Sequence, residues 1–450
     1  MMSDFRKTGL AVATFGLALV AGAVRAQSAP DANPATPSPP QQLAVHGQAT
    51  LVAQGVTDFA SPYAGANSLA PNQVRETVNV TAFIGVRPWA GAEIWANPEI
   101  DQGFGLSNTL GVAGFPSAEA YKVGKSAPYL RLQRVFVRQT IGLGGATEAV
   151  ASAANQLAGV RRANRVVLTI GKFGVGDVFD TNAYAHDPRS DFLNWSVVDA
   201  GSFDYAADAW GYSYGAAAEY YCAAWTLRLG LFNLSRVPNG ETLETGFAQS
   251  QVDVELEHRH AIGRRPGAVR VTLFRNRGRF SRFDDAIARA VATGLPVDPT
   301  TTRRPQTRLG VHFNGEQALS DTVGMFVRAG VADGSIEPYD FTDIDRTATI
   351  GGALQGAGWG RAQDRVAIAL VANGISPDHR RYLDAGGIGV LIGDGRLPHP
   401  GAELIAETYY DFAARSGLHA TLDYQFVAHP GYNRDRGPAN VLALRLHGAF

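Results

Sequence analysis

One cysteine, Cys222, occurs in the 450 residues, so no internal disulfide can form and cysteine-based metal or redox sites are excluded. Lysine is almost missing: Lys7, Lys122, Lys125 and Lys172 are the only four, and arginine supplies the other 36 of 40 basic residues. Genomic base composition explains such a bias as well as any need for planar donors. No run of 18 apolar residues occurs beyond residue 26, which excludes transmembrane helices. Neither charge sign is in excess: 40 basic against 41 acidic residues give a net charge of −1, which argues against a nucleic-acid partner. Long helical periodicities are scarce, whereas 51 glycines and 15 tyrosines accompany β structure.

The start of the chain has the layout of a secretory signal. Arg6 and Lys7 precede an apolar run from Leu10 to Val24, and Val24-Arg25-Ala26 precedes Gln27. That run is too short to span a bilayer comfortably. Residues 1–26 are therefore expected to be cleaved, and residues 27–42 form a Pro/Ala-rich leader that cannot build a core.

The other end is more informative. In Val441–Phe450, Leu442, Leu444, Leu446, Gly448 and Phe450 share one face of an extended strand, and Val441, Ala443, Arg445, His447 and Ala449 share the other. A closed membrane barrel needs such an ending, because an unpaired last strand would leave an open edge in lipid. Period-two segments of about ten residues, the length of a tilted membrane strand, recur along the chain. They fall near 43–54, 75–87, 88–97, 129–141, 164–174, 209–221, 224–232, 250–260, 268–277, 306–317, 322–331, 346–357, 363–372, 401–412, 417–427 and 439–450. Long and short connections alternate between them. The expected fold over 43–450 is an all-β, up-and-down antiparallel transmembrane barrel of 16 strands, with long extracellular loops and short periplasmic turns. One connection breaks the alternation: residues 142–163, containing ATEAVASAANQLAG, read as a periplasmic helical insert. Trp89, Tyr220, Tyr221, Trp225, Phe412 and Phe450 gather near the short turns, as an interfacial aromatic belt would.

With the apolar faces in lipid, the opposite faces carry Glu93, Trp95, Arg228, Glu255, Glu257, Arg328, Glu403, Glu407, Asp423 and Arg445 into the interior. So charged an interior is expected to be hydrated, either as a generic aqueous wall or as a solute-selective path. The long connection beginning Gly174-Val-Gly-Asp-Val-Phe-Asp is the candidate constriction: it joins Asp180, Asn182, Asp187, Arg189, Asp191 and Asn194 to Tyr184, Phe192 and Trp195.

At these loops the chain resembles the carbohydrate-selective porins of bacterial outer membranes. The similarity runs through GQATLVAQG, IWANPEIDQGFGLSNTLGVAGF, LTIGKFGVGDVFD, SDFLNW and AGSFDYAADAWGYSY to the closing AELIAETYYDFAARSGLHATLDYQF. The resemblance implies a sixteen-stranded sugar pore. It implicates Arg134 and Arg138, Asp180 and Asn194, and Trp95 and Glu99 in the pore constriction; the loop composition adds Asn182, Asp191 and Trp195. The chain departs from many members at 142–163 and in the basic stretch 259–270.

The expected function is passive diffusion of small carbohydrates across the bacterial outer membrane, without enzymatic chemistry, metal or cofactor. The expected partners are sugars, outer-membrane lipid and the barrel-assembly machinery, which would read the strand ending at Phe450; the protein would be a monomer or a trimer. A general non-selective porin, an exopolysaccharide export barrel and an outer-membrane hydrolase stay open. His186 beside Asp187 and Ser190 is the nearest approach to a hydrolytic site.

Overall fold

Sixteen antiparallel strands close into one barrel in the computed structural model, which describes residues 40–121 and 123–450. In chain order they are β1 (Leu43–Val56), β2 (Gln73–Val86), β3 (Ala92–Gly103), β4 (Lys125–Val150), β5 (Gly159–Phe173), β6 (Ser213–Cys222), β7 (Trp225–Asn233), β8 (Ser250–Ile262), β9 (Arg265–Phe280), β10 (Arg304–Ala318), β11 (Val323–Ala332), β12 (Arg346–Gln355), β13 (Arg365–Gly374), β14 (Glu403–Arg415), β15 (Leu418–Ala428) and β16 (Ala439–Ala449). Each pairs with its sequence neighbours, and β16 closes on β1. Every one of the sixteen expected segments overlaps a strand. The expected signal, and the leader up to residue 39, lie outside the described residues.

Alternation explains why these segments become strands. Leu227, Leu229 and Leu231 on β7, Leu273 on β9, Ile368 and Leu370 on β13, and Leu442 and Leu444 on β16 are large, apolar and exposed, and form the outward band. Their neighbours Arg228, Thr272, Ala369 and Ala443 point inward and are buried. The seam is closed by backbone: the Gly47 N–H donates to the Phe450 carbonyl at 3.1 Å, and the Phe450 N–H donates to the Gly47 carbonyl at 3.0 Å. Gly47 has no side chain because the Phe450 ring occupies that space; a Cβ there would stand 2.5 Å from the ring.

Trp89, Tyr220, Trp225, Phe412 and Phe450 are exposed at the short-turn end, as a belt requires. Tyr221 is not one of them. It faces inward, with the Arg165 guanidinium 3.7 Å from its ring centre.

The helix expected over 142–163 does not form. β4 and β5 instead continue as a hairpin below the wall, pairing Thr147 with Arg162, Glu148 with Arg161 and Val150 with Gly159. Alanine-rich composition favours a helix by only tenths of a kcal/mol per residue, whereas two strands already in register offer a complete ladder. Gly144 and Gly145, at φ of +121° and +78°, also interrupt any helix. Cross-strand pairs hold the extension: Arg161 Nε lies 3.0 Å from Glu148 Oε2, and Arg162 Nη1 donates to the Thr147 hydroxyl at 3.0 Å. The hairpin tip, residues 151–158, folds back across the barrel mouth. Leu157 is buried among Phe83, Trp95 and Phe136, and Arg138 Nη1 donates to the Asn155 carbonyl at 2.7 Å.

The interior differs from the expected hydrated wall, because the long connections fold into it. Residues 174–212, carrying the one-turn helix α1 (Trp195–Val198), bury Phe179, Phe192, Leu193, Val197 and Phe203. Wall carboxylates hold this loop by accepting its amides. Glu255 takes Asp180 N–H at 2.9 Å, Glu316 takes Ala183 N–H at 2.6 Å, and Glu407 takes the Leu193 and Asn194 N–H groups at 2.5 and 3.2 Å. Glu403 does the same for two other connections, accepting from Ala113 and Gly114 of one at 3.0 and 2.8 Å and from Gly431 of the other at 2.9 Å. The charges are satisfied by protein donors rather than by bulk water. Two longer helices, α2 (Phe283–Thr293) and α3 (Pro377–Asp384), pack against each other at the long-loop end.

Candidate functional site

The site begins with an irregularity in β4. Asn97 on β3 pairs with Arg134, and Pro98 pairs with Leu132, so Gln133 is an extra residue with no partner. Pro98 has no N–H to lose, which makes the bulge inexpensive at this point. Its effect is to turn two consecutive side chains inward. Leu132 and Val135 stay exposed on the outside, while Gln133 is buried and Arg134 enters the lumen. Gln133 donates to Asp101 at 3.1 Å and to Glu99 at 3.3 Å. Arg134 grips Asp177 of the infolded loop in a two-pronged pair, Nε–Oδ2 2.7 Å and Nη2–Oδ1 2.6 Å. Its guanidinium also stacks 4.7 Å from the centre of the Tyr212 ring.

This pair stands between two cavities. The one toward the long loops, about 220 Å³, is lined by Glu99, Arg134, Arg189, Trp195, Tyr205 and Tyr212 among others. The one toward the short turns is about 1020 Å³ and is lined by Glu93, Phe136, Arg138, Arg165, Glu219 and Arg228 among others. Asp177 and His186 line both, and so form the neck.

The smaller cavity has an aromatic side. Trp195 stacks on Phe115 with ring centres 5.2 Å apart, and meets Tyr205 at 5.4 Å and Phe341 at 5.8 Å. It also has a polar side, where Arg189 Nη2 bridges Glu119 at 3.1 Å and Glu99 at 3.5 Å. Among the described residues, three nitrogens of the lining residues are themselves fully buried and have no hydrogen-bond partner: Trp195 Nε1, Arg189 Nε and His186 Nδ1. The Arg189 guanidinium and the His186, Tyr205 and Trp210 rings are only part-buried, and together they can meet a solute with both apolar C–H faces and hydroxyl or ether oxygens.

Burial raises the Glu119 carboxyl to about 7, against the pull of Arg189. Burial, reinforced by nearby Asp180, raises Asp199 in the same lining to about 7. Asp177 behaves oppositely. Burial would raise it, but the Arg134 guanidinium holds it below the usual carboxylate range, so it is charged.

A family model for the carbohydrate-selective porin, OprB family, matches residues 73–450. The chain belongs to that family. Among solved structures, the high-pH structure of OprB from Pseudomonas putida is similar, with TM-score 0.69 and 15% identity over 91% of this chain and 94% of that one. The outer-membrane channel DcaP of Acinetobacter baumannii is similar at TM-score 0.50 and 11% identity, over 91% and 97%. No curated protein matches by sequence. The protein is thus a bacterial outer-membrane porin, a channel and not an enzyme. The short turns face the periplasm and the long loops the exterior.

Within this porin the nine residues expected at the constriction separate into two groups. Arg134, Glu99 and Trp195 meet around the outer cavity, and Arg138 lines the periplasmic one, where it also faces Glu93 at 3.6 Å. The other five line neither cavity, and four of them hold the loop in place. Asp180 pairs with Arg328 at 3.2 Å and accepts from Asn314 at 2.6 Å and from the Ala200 amide at 2.7 Å. Asn182 donates to Asn314 at 2.8 Å. Asp191 pairs with Arg365 and accepts the His186 amide at 3.0 Å. Asn194 caps α1 by accepting Ser196 N–H at 3.0 Å and donates to Gly114 and Gln425 at 2.8 and 3.0 Å. Trp95 is wholly buried, its indole N–H on Glu93 at 2.9 Å, in the space left free by Gly85.

Asp177 and His186 lie in the loop expected to form the constriction but, like Tyr205 and Tyr212, were not singled out as lining it. The stacking of Tyr212 under Arg134 had one sequence signal, the proline at 98 that permits the bulge. His186 takes no part in a hydrolytic arrangement: among the described residues it makes no hydrogen bond to Ser190, whose amide donates to the Asp187 carbonyl at 3.0 Å.

Proposed function

We propose that this porin carries small carbohydrates, glucose and related mono- and oligosaccharides, by passive diffusion from the exterior to the periplasm. The observation that carries the proposal is the outer cavity, where aromatic rings and the part-buried Arg189 and His186 side chains line one space above a charged neck. Its volume of about 220 Å³ is the room of roughly seven waters at ~30 Å³ each, which suits one sugar ring at a time. A sugar ring packs against the part-buried Tyr205 while its hydroxyls exchange water for Arg189 and His186. The contacts are few, as throughput requires, since a solute held tightly cannot leave quickly. Ions follow the same water-filled path. The strand ending at Phe450 is the element the assembly machinery would read, and the outward apolar band contacts lipid whether the protein is a monomer or a trimer.

The test is single-channel recording in planar bilayers with a saccharide panel. Reduced ion current on adding glucose or short maltodextrins, weakened in Tyr205→Ala, is the expected result. A current indifferent to every sugar would leave a general porin.

A further inference from the structure

The outward face of β9 changes character along its length. From the periplasmic end it presents Val269, Val271 and Leu273, and then Arg275, Arg277 and Arg279, all three exposed. Successive members of this ladder share one face about 7 Å apart, so their charges repel. Neither flanking strand supplies a counter-charge. Opposite Arg275 stand Val252 on β8 and Leu309 on β10, opposite Arg277 stand Ser250 and Thr307, and opposite Arg279 stands Pro305. Among the described residues, the guanidinium groups of Arg275 and Arg277 make no hydrogen bond or ion pair, and that of Arg279 donates only to the Arg303 carbonyl at 3.2 Å. The nearby Asp285 carboxylate is engaged by Arg304 at 2.7 Å.

The height of the ladder identifies what faces it. His258, its ring centre 4.3 Å from that of Trp225 in the periplasmic belt, pairs with Val269. Arg275 to Arg279 stand about 20–33 Å further along the strand, or about 15–25 Å along the membrane normal at a tilt of ~40°. The apolar band of such a barrel is ~25 Å tall, so the ladder spans the upper edge of the outer leaflet, where long side chains extend toward headgroups. Beside it the outer wall is dented. Ala329, Ala348 and Ala372 are in register across β11, β12 and β13, and with Val271 and Phe313 they line a cavity of about 430 Å³, with Arg346 at its rim.

We propose that this face binds a phosphate-bearing lipid of the outer leaflet, its phosphate on Arg275 and Arg277 and an acyl chain in the alanine dent. Arginine presents paired donors that match phosphate oxygens, and the dent supplies an apolar seat that a free anion would not use.

The test is native mass spectrometry of the full protein in detergent with added bis-phosphorylated lipid A, its dephosphorylated form, or inorganic phosphate. Wild-type protein should retain bis-phosphorylated lipid A. Retention should fall at least tenfold in the R275Q/R277Q/R279Q protein and for the dephosphorylated lipid, and should survive in R275K/R277K/R279K. Unchanged channel conductance in both variants certifies the fold. Equal retention by the wild-type and glutamine proteins would overturn the proposal. Displacement of the lipid by inorganic phosphate, marking a free-anion site, or dissolution of a wild-type oligomer by the glutamine substitutions, marking a contact between copies, would do so as well.

Discussion

Removing the Asp177 carboxylate should turn the neck anion-selective, and the size of the change follows from the geometry. In the wild-type protein the two-pronged contact at 2.6 and 2.7 Å makes Arg134 and Asp177 nearly neutral at a distance. Asp177→Asn leaves the guanidinium uncompensated beside the path. A unit charge about 5 Å from a passing ion is worth ~0.8 kcal/mol in water. Screening with a ~10 Å Debye length at 0.1 M salt reduces this to ~0.5 kcal/mol. That enriches anions about twofold and depletes cations by the same factor, so the anion-to-cation permeability ratio should rise ~5-fold, read as a shift of reversal potential in a salt gradient. Arg134→Gln should shift the ratio the other way, and the double variant should return it close to wild type. The shift should shrink at 1 M salt. A reversal potential unmoved by either single substitution would refute the placement of this pair at the neck.

Raising the pH from 6 to 8 should make the outer cavity more cation-selective with a midpoint near 7, because Glu119 and Asp199, both raised to about 7, are neutral below that pH and anionic above it; a reversal potential flat across this range would exclude their titration in the path. Asp180→Ala leaves Arg328 buried without its carboxylate, a loss of about 3–5 kcal/mol. It should appear as protease cleavage within 174–212 and noisy single-channel current, and a loop as resistant as wild type would show that its anchorage lies elsewhere. Replacing residues 151–158 by Asn-Gly joins Val150 to Gly159, which already pair, through a two-residue turn. Loss of the Leu157 lid should raise conductance, and an unchanged value would mean that the hairpin tip does not restrict the periplasmic mouth.

The barrel was legible because its information is local. Alternation along Trp225–Leu231 or Val252–His258 states both that a segment is a strand and which face meets lipid, and neighbouring strands need only pair in order. The hairpin at 142–163 was misread because alanine propensity is weak evidence against a strand whose partner is already aligned. The loop was harder to read. Aspartate and asparagine cap backbone amides and contact solutes with the same atoms, so nothing in the identities of Asp180, Asn182, Asp191 and Asn194 distinguishes an anchor from a lining residue. Trp95 was rightly expected to point inward, but its cover by Phe83, Phe136 and Leu157 depends on a hairpin that folds back from 60 residues downstream in the chain.

The lumen wall has two halves with different tasks, and the division follows from where backbone amides must be satisfied. A loop buried inside a barrel brings N–H groups that water cannot reach, so each needs an acceptor. The acceptors are carboxylates of the far wall: Glu255 on β8, Glu316 on β10, and Glu403 and Glu407 on β14. Once they hold the infolded connections, those acids no longer face the path. The open space is pressed against β3–β7, where Arg134, Arg138, Arg165 and Arg228 line it. An interior rich in both charge signs thereby presents arginine and aromatic rings to the solute while spending much of its acid on architecture. Selectivity can then change by substitution on β3–β5 with only the Arg134–Asp177 contact to the loop at stake, whereas substitution on β8 or β14 removes the wall of the cavity itself.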